Sequence, residues 1–136
     1  RLFEFWDEEY QGPFKGQFDC DLAPNSCRLY RISKARQHPW LLSTTMHVQQ
    51  GNVEVPELEW NAKTLTLSGT VTRPRGERGS LYFLMPDGYR LINHQNHWLL
   101  KVGFDMSVVI RRDFEFTQSV MPFELRFAPL QYTTAY

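Results

Sequence analysis

Three groups of side chains in this sequence could carry chemistry, and each asks for a different geometry. Glu54, Glu57 and Glu59 flank Pro56, and cleavage of a glycosidic bond needs two such carboxylates facing one substrate. Their spacing does not match Glu-x-Asp-x-x-Glu, which one jelly-roll glycosidase family uses. Charged side chains on strand exteriors are the norm, so a solvated strand face is the plainer reading. Asp7, Glu8 and Glu9 form a second acidic group, read as a charged strand end in preference to a cation site. His94 and His97, within Asn93-His94-Gln95-Asn96-His97, raise metal binding. Zinc needs three or four ligands, and neither Cys20 nor Cys27 stands at a spacing that joins this pair. The segment reads as a polar loop, and no metal or cofactor is expected. His47 reads as a hydrogen-bonded histidine of the core or of a strand edge.

Nucleophile motifs are missing: the sequence has no Gly-x-Ser-x-Gly and no phosphate-cradling glycine loop. Aromatic surface remains, because Trp and Tyr on a β-sandwich can stack on the apolar faces of sugar rings. Trp40, Tyr89 and Trp98 are the carbohydrate-binding candidates, with core packing as the competing explanation for each. Cys20 and Cys27 are the only cysteines. They either close one short loop as a disulfide or stay as two separate buried thiols, and the sequence leaves both open.

The elements that would position these side chains are strands. Alternation is cleanest in Thr64 to Thr72, where Leu65, Leu67 and Val71 face one way and the threonines and Ser68 the other. It recurs in Leu81, Phe83 and Met85; in Trp98, Leu100 and Val102; in Phe104, Met106, Val108 and Ile110; and in Met121, Phe123, Leu125 and Phe127. Upstream, Phe14, Phe18, Cys20 and Leu22 keep one phase. Turn chemistry separates the runs at Pro86-Asp87-Gly88, Arg73 to Gly79 and Asn61-Ala62. In Val53 to Trp60 the apolar phase changes across Pro56, which predicts a bulge or bend on an edge strand. No stretch keeps a 3.6-residue period. The sequence therefore predicts an all-β protein: an antiparallel β-sandwich of Greek-key or jelly-roll type, with about ten strands and almost no helix. Residues 1–136 read as a single domain with a soft division near residues 33–39.

Composition narrows the partners. Fifteen basic residues balance fifteen acidic ones, so no electrostatic footprint for nucleic acid or an anionic membrane is expected. No apolar run approaches the ~18 residues a membrane-spanning helix needs, and no charged-then-apolar leader opens the chain. A strand-like run follows Arg1 at once, which suggests that the natural polypeptide starts further upstream. Ten Phe, six Tyr and four Trp suit the filling between stacked sheets.

Two segments carry a resemblance. The run Phe3-Glu4-Phe5-Trp6-Asp7-Glu8-Glu9-Tyr10-Gln11-Gly12, followed by Leu22 to Ile32 with its Leu29-Tyr30-Arg31-Ile32 finish, resembles the C-terminal β-domain of retaining α-galactosidase-like glycoside hydrolases. His38 to Gly51 is similar to the segment that follows in longer bacterial members, where it introduces a β-rich extension. The resemblance covers about the first half of the chain; from Arg73 onward the patterning is generic. It implies a non-catalytic accessory domain that packs against and stabilises the catalytic (β/α)₈ barrel of the same polypeptide, in an extracellular or periplasmic setting. In that family two aspartates at barrel strand ends do the chemistry. This chain has neither the length nor the helices for a barrel, so no catalytic residue is carried over. The alternative is a carbohydrate-binding module using Trp40, Tyr89 and Trp98.

Overall fold

The alternating segments form strands, and the computed structural model describes residues 1–47, 50–102 and 105–130, with Lys101 and Val102 described by their backbone alone. These residues contain eleven strands: β1 (Leu2–Glu4), β2 (Glu9–Gly12), β3 (Tyr30–Ile32), β4 (Trp40–Thr44), β5 (Glu57–Asn61), β6 (Thr66–Thr72), β7 (Arg78–Met85), β8 (Tyr89–Leu91), β9 (His97–Val102), β10 (Val108–Glu115) and β11 (Val120–Pro129). Among the described residues there is no helix. All pairings are antiparallel and make three sheets, ordered β2-β1-β3, β4-β7-β10-β9 and β5-β6-β11-β8. The protein is an antiparallel β-sandwich, with the small sheet added as a third layer.

The middle sheet, β4-β7-β10-β9, is covered on both faces. Leu81, Phe83, Met85, Ile110 and Phe114 meet Leu67, Val71, Phe123, Leu125 and Phe127 of the facing sheet. On the other side Leu42, Tyr82, Leu84 and Val109 pack against Phe3 and Tyr10 of the small sheet. A strand covered on both sides reads as a continuous apolar run, and β7 buries five consecutive residues from Leu81 to Met85. Period-two reasoning identifies only Leu81, Phe83 and Met85, because the third layer is not visible in β7 itself.

Only β5–β6 and β9–β10 are sequence neighbours that also pair within the sandwich; the other connections pass between its two sheets. Pro86-Asp87-Gly88 therefore arches from β7 to β8 in the opposite sheet and does not close a hairpin. Close approach of β5 to β6 depends on Gly69. A Cβ there would collide with the Glu57 carbonyl oxygen and lie 2.8 Å from the Phe123 ring, so only glycine lets both neighbours in.

Several expectations are corrected. Phe14, Phe18, Cys20 and Leu22 do not lie on a strand: residues 13–29 are irregular, with one isolated bridge between Lys15 and Gln17. Pro13, Gly16 and Pro24 interrupt the segment, and Leu22 is 59% exposed. Both cysteines are exposed free thiols, neither buried nor bonded. The phase change at Pro56 is not a bulge. The strand begins after the proline, at Glu57, while Glu54 and Val55 are buried in the preceding loop. β5 is an edge strand, as proline suggests. Trp98 and Leu100 are exposed and His97 is the buried residue, because β9 is an edge and the facing edge strand, β8, has only three residues. Met106 is an exposed turn residue with φ of 62°. Phe104 and the side chain of Val102 lie outside the described residues.

Candidate functional site

The outer face of β5-β6-β11-β8 becomes a groove because its inner face is committed to the core. With Leu67 and Val71 turned inward, Ser68 and Thr70 of β6 must face out. The same alternation exposes Glu57 on β5 and Pro122, Glu124 and Arg126 on β11. β11 is ten residues long, yet β8 pairs only with Phe127 to Pro129. One side of the earlier β11 residues is thus left without a strand, which is where proline, lacking an N–H, is tolerated.

The β8–β9 loop partly fills that gap. The Asn93 carboxamide donates to the Glu124 carbonyl at 2.7 Å and accepts from the Arg126 N–H at 2.7 Å, continuing the β8 ladder with a side chain. This anchor holds Gln95 and Asn96 at the rim of a groove of about 630 Å³, a volume typical of ligand sites. Carboxamides, hydroxyls, two carboxylates and two guanidinium groups line it, and among the described residues the only aromatic in the lining is Phe123, which is itself buried.

Arg112 enters the groove from the other sheet. It lies on the same face of β10 as Ile110 and Phe114, and its guanidinium sits 4.9 Å from the Phe114 ring centroid. Its Nη1 approaches His97 Nε2 at 3.4 Å, long for a hydrogen bond. Among the described residues no carboxylate pairs with it, and its buried Nε has no partner. Burial alone pulls its pKa below the ordinary arginine value.

The surroundings of His97 disfavour its charged form. Its Nδ1 lies 2.6 Å from the Asn93 carbonyl, so Nδ1 carries the hydrogen and Nε2 is the acceptor facing Arg112. Burial lowers its pKa; the Asn93 carbonyl works the other way, and Arg112 and His94 add to the lowering. The unfolded chain takes its proton at about pH 6.5 and the folded protein only at lower pH. Between these points the unfolded state binds more protons, so stability falls as pH falls below about 6.5 and levels off once folded His97 is protonated. Urea denaturation of wild type and His97→Gln between pH 7.5 and 5 is expected to show a steeper acid-side loss in wild type, with His94→Gln, at an exposed histidine, behaving like wild type. Parallel profiles for wild type and His97→Gln would contradict this.

The other candidate side chains go elsewhere. Glu54 is 1% exposed and accepts a hydrogen bond from Thr44, so it is not part of a solvated strand face. Glu57 and Glu59 are on that face. Asp7 pairs with Arg28 at 3.1 Å and Glu8 accepts from the Tyr82 hydroxyl at 3.2 Å. Among the described residues no three His, Cys, Asp or Glu side chains form a metal-sized group. Trp40 and Tyr89 are half-buried against the core. The His38 ring stacks on Trp60 at 5.3 Å and meets Trp40 edge-on, while Arg36 lies 4.7 Å above Trp40. Trp98 is 54% exposed. None of the three aromatic candidates lines the groove.

Sequence reasoning marked Glu57 and the Asn93 to His97 loop but read neither as part of a groove, and it missed Arg112, Glu124 and Arg126. The available signal was Pro122 inside a strongly alternating strand, which marks an uncovered edge. Fold and site together define an all-β sandwich with an open polar groove at one sheet edge. Comparison of the chain with family models, with curated proteins and with solved structures found no match.

Proposed function

We propose that this chain is a non-catalytic β-sandwich that binds carbohydrate in the β5-β6-β11-β8 groove and serves as an accessory domain of a glycoside hydrolase. The observation that carries the binding role is the convergence of Asn93, Gln95, Asn96, Ser68, Thr70 and Glu57 on one groove of ligand size. Carboxamides and carboxylates offer the donors and acceptors that sugar hydroxyls need, and an open groove suits an extended chain. The binding surface differs from an aromatic platform on Trp40, Tyr89 and Trp98. The accessory role rests on the resemblance of Phe3 to Gly12 and Leu22 to Ile32 to the C-terminal β-domain of α-galactosidase-like enzymes, and of His38 to Gly51 to the segment that follows in longer bacterial members. It is also favoured by the exposed Trp98, Leu99 and Leu100 on the free edge strand β9, an apolar strip suited to cover by a neighbouring barrel. A reading frame with no barrel-sized region beside this domain would remove that part of the proposal.

Glycan array screening followed by calorimetry is expected to show binding with micromolar to millimolar Kd, weakened at least fivefold at unchanged thermal stability by Gln95→Ala or by Asn96→Gly, glycine being the residue that tolerates the φ of 63° at position 96. Loss of binding on Trp98→Ala, with the two loop variants unaffected, would move the site to the aromatic candidates. Turnover is the competing outcome. Glu57 and Glu124 are the two carboxylates of the groove, two strands apart and out of register, roughly 12 Å at Cα from strand spacing and rise. Hydrolysis of chromogenic glycosides, abolished by Glu57→Gln or Glu124→Gln, would replace the binding role with a catalytic one.

A further inference from the structure

Arg112 is the one groove residue whose position a neutral sugar does not explain. A guanidinium half-withdrawn from water is costly unless an anion faces it. Neither groove carboxylate, Glu57 nor Glu124, pairs with it, and its contacts are the Phe114 ring at 4.9 Å and the His97 imidazole at 3.4 Å. A ring contact of this kind offsets only about 0.5–1 kcal/mol. The imidazole cannot serve as a counter-charge, because it is either neutral or cationic; with Nδ1 turned to the Asn93 carbonyl it offers Arg112 only the Nε2 lone pair. A half-buried cation without an anionic partner therefore lines a groove whose remaining walls are hydroxyls, carboxamides, two outward carboxylates and the exposed Arg126.

We propose that the groove selects an acidic oligosaccharide, with the carboxylate of a uronic acid unit held by Arg112 and neighbouring ring hydroxyls held by Asn96, Gln95 and Glu57. This rests on the carbohydrate-binding reading and names its ligand class. A planar carboxylate matches the guanidinium fork. A polyanion without hydroxyls is disfavoured, because it offers no hydrogen-bond donors to the Glu57 and Glu124 carboxylates that share the groove.

The test compares oligogalacturonate with its methyl ester, two ligands that differ in charge at the carboxyl and share their hydroxyls. Calorimetry on the intact chain at low ionic strength is expected to give at least tenfold tighter binding of the acid, with the advantage shrinking as salt rises. Arg112→Met, which keeps an unbranched apolar stem on Phe114, is expected to reduce the advantage of acid over ester to within twofold; Arg112→Lys is expected to retain part of it. Equal binding of acid and ester by the wild-type protein would overturn the proposal while leaving carbohydrate binding intact, and this comparison needs no variant to fold. An advantage that survives in folded Arg112→Met would also overturn it, as would a sulfated galactan oligosaccharide bound as tightly as oligogalacturonate. Binding of neither galacturonate ligand, together with no hit on the glycan array, would remove the carbohydrate reading itself.

Discussion

Phe83→Ala is expected to lower stability by about 3–5 kcal/mol, the range for deleting a fully buried phenylalanine. Phe83 occupies the middle of β7, paired in register with Leu41 of β4 and Ile110 of β10. It is completely shielded from solvent, and its ring lies 5.5 Å from that of Phe123 in the opposite sheet. Strands on both sides hold the backbone in place, so the surrounding side chains cannot collapse fully into the space left behind, and a cavity adds to the lost transfer energy. For a chain of this size the melting temperature is expected to fall by about 10–20 °C. Urea titration followed by tryptophan fluorescence measures the change directly. Phe83→Leu, which keeps most of the volume, should lose far less, and Trp98→Ala on the exposed edge should stay within about 0.5 kcal/mol. A loss under about 1.5 kcal/mol for Phe83→Ala would mean that the two sheets do not stack at this residue.

Arg31→Met is expected to cost about 2–3 kcal/mol, because Arg31 belongs to a polar cluster buried between the small sheet and the sandwich. From β3 its guanidinium donates to the Gln50 carbonyl; the Gln50 side chain accepts from Ser43 at 2.9 Å, and Thr44 donates to Glu54. Burial lowers the Arg31 pKa, and the attraction of Glu54 opposes that lowering. Removing the cation leaves the Glu54 carboxylate in the interior, one of its oxygens already without a hydrogen-bond partner. Breaking a direct buried ion pair costs about 3–5 kcal/mol; Arg31 and Glu54 attract without direct contact, which sets the smaller figure. If this reasoning holds, Glu54→Gln in the Arg31→Met background recovers at least half of the loss. Additive losses in the double-variant cycle would show that the two residues do not sense one another.

These two sites also mark how far the sequence could be read. Phe83 is legible from alternation with Leu81 and Met85, since a half-buried strand needs only one apolar face and the period states which one. Tyr82 and Leu84 are not legible in the same run, because their burial depends on Phe3 and Tyr10, some 70 residues upstream, forming a third layer. Glu54 reads as a surface acid for a related reason. Nothing near it indicates that Thr44 donates to it and that Arg31 lies within electrostatic reach, and without such partners a buried carboxylate would be disfavoured. The groove was hidden most completely: Glu57, Asn93, Arg112 and Glu124 come from four separate segments and meet only because β11 outruns β8.

Local sequence therefore settled the strand class, the absence of a helical period and the inward face of β6, β7 and β11, since these follow from steric preferences and burial over a few residues. Strand pairing, the third layer and the groove were decided by tertiary structure alone. Each depends on contacts between segments far apart in the chain, and the free energy that selects those contacts is not encoded in any one of them.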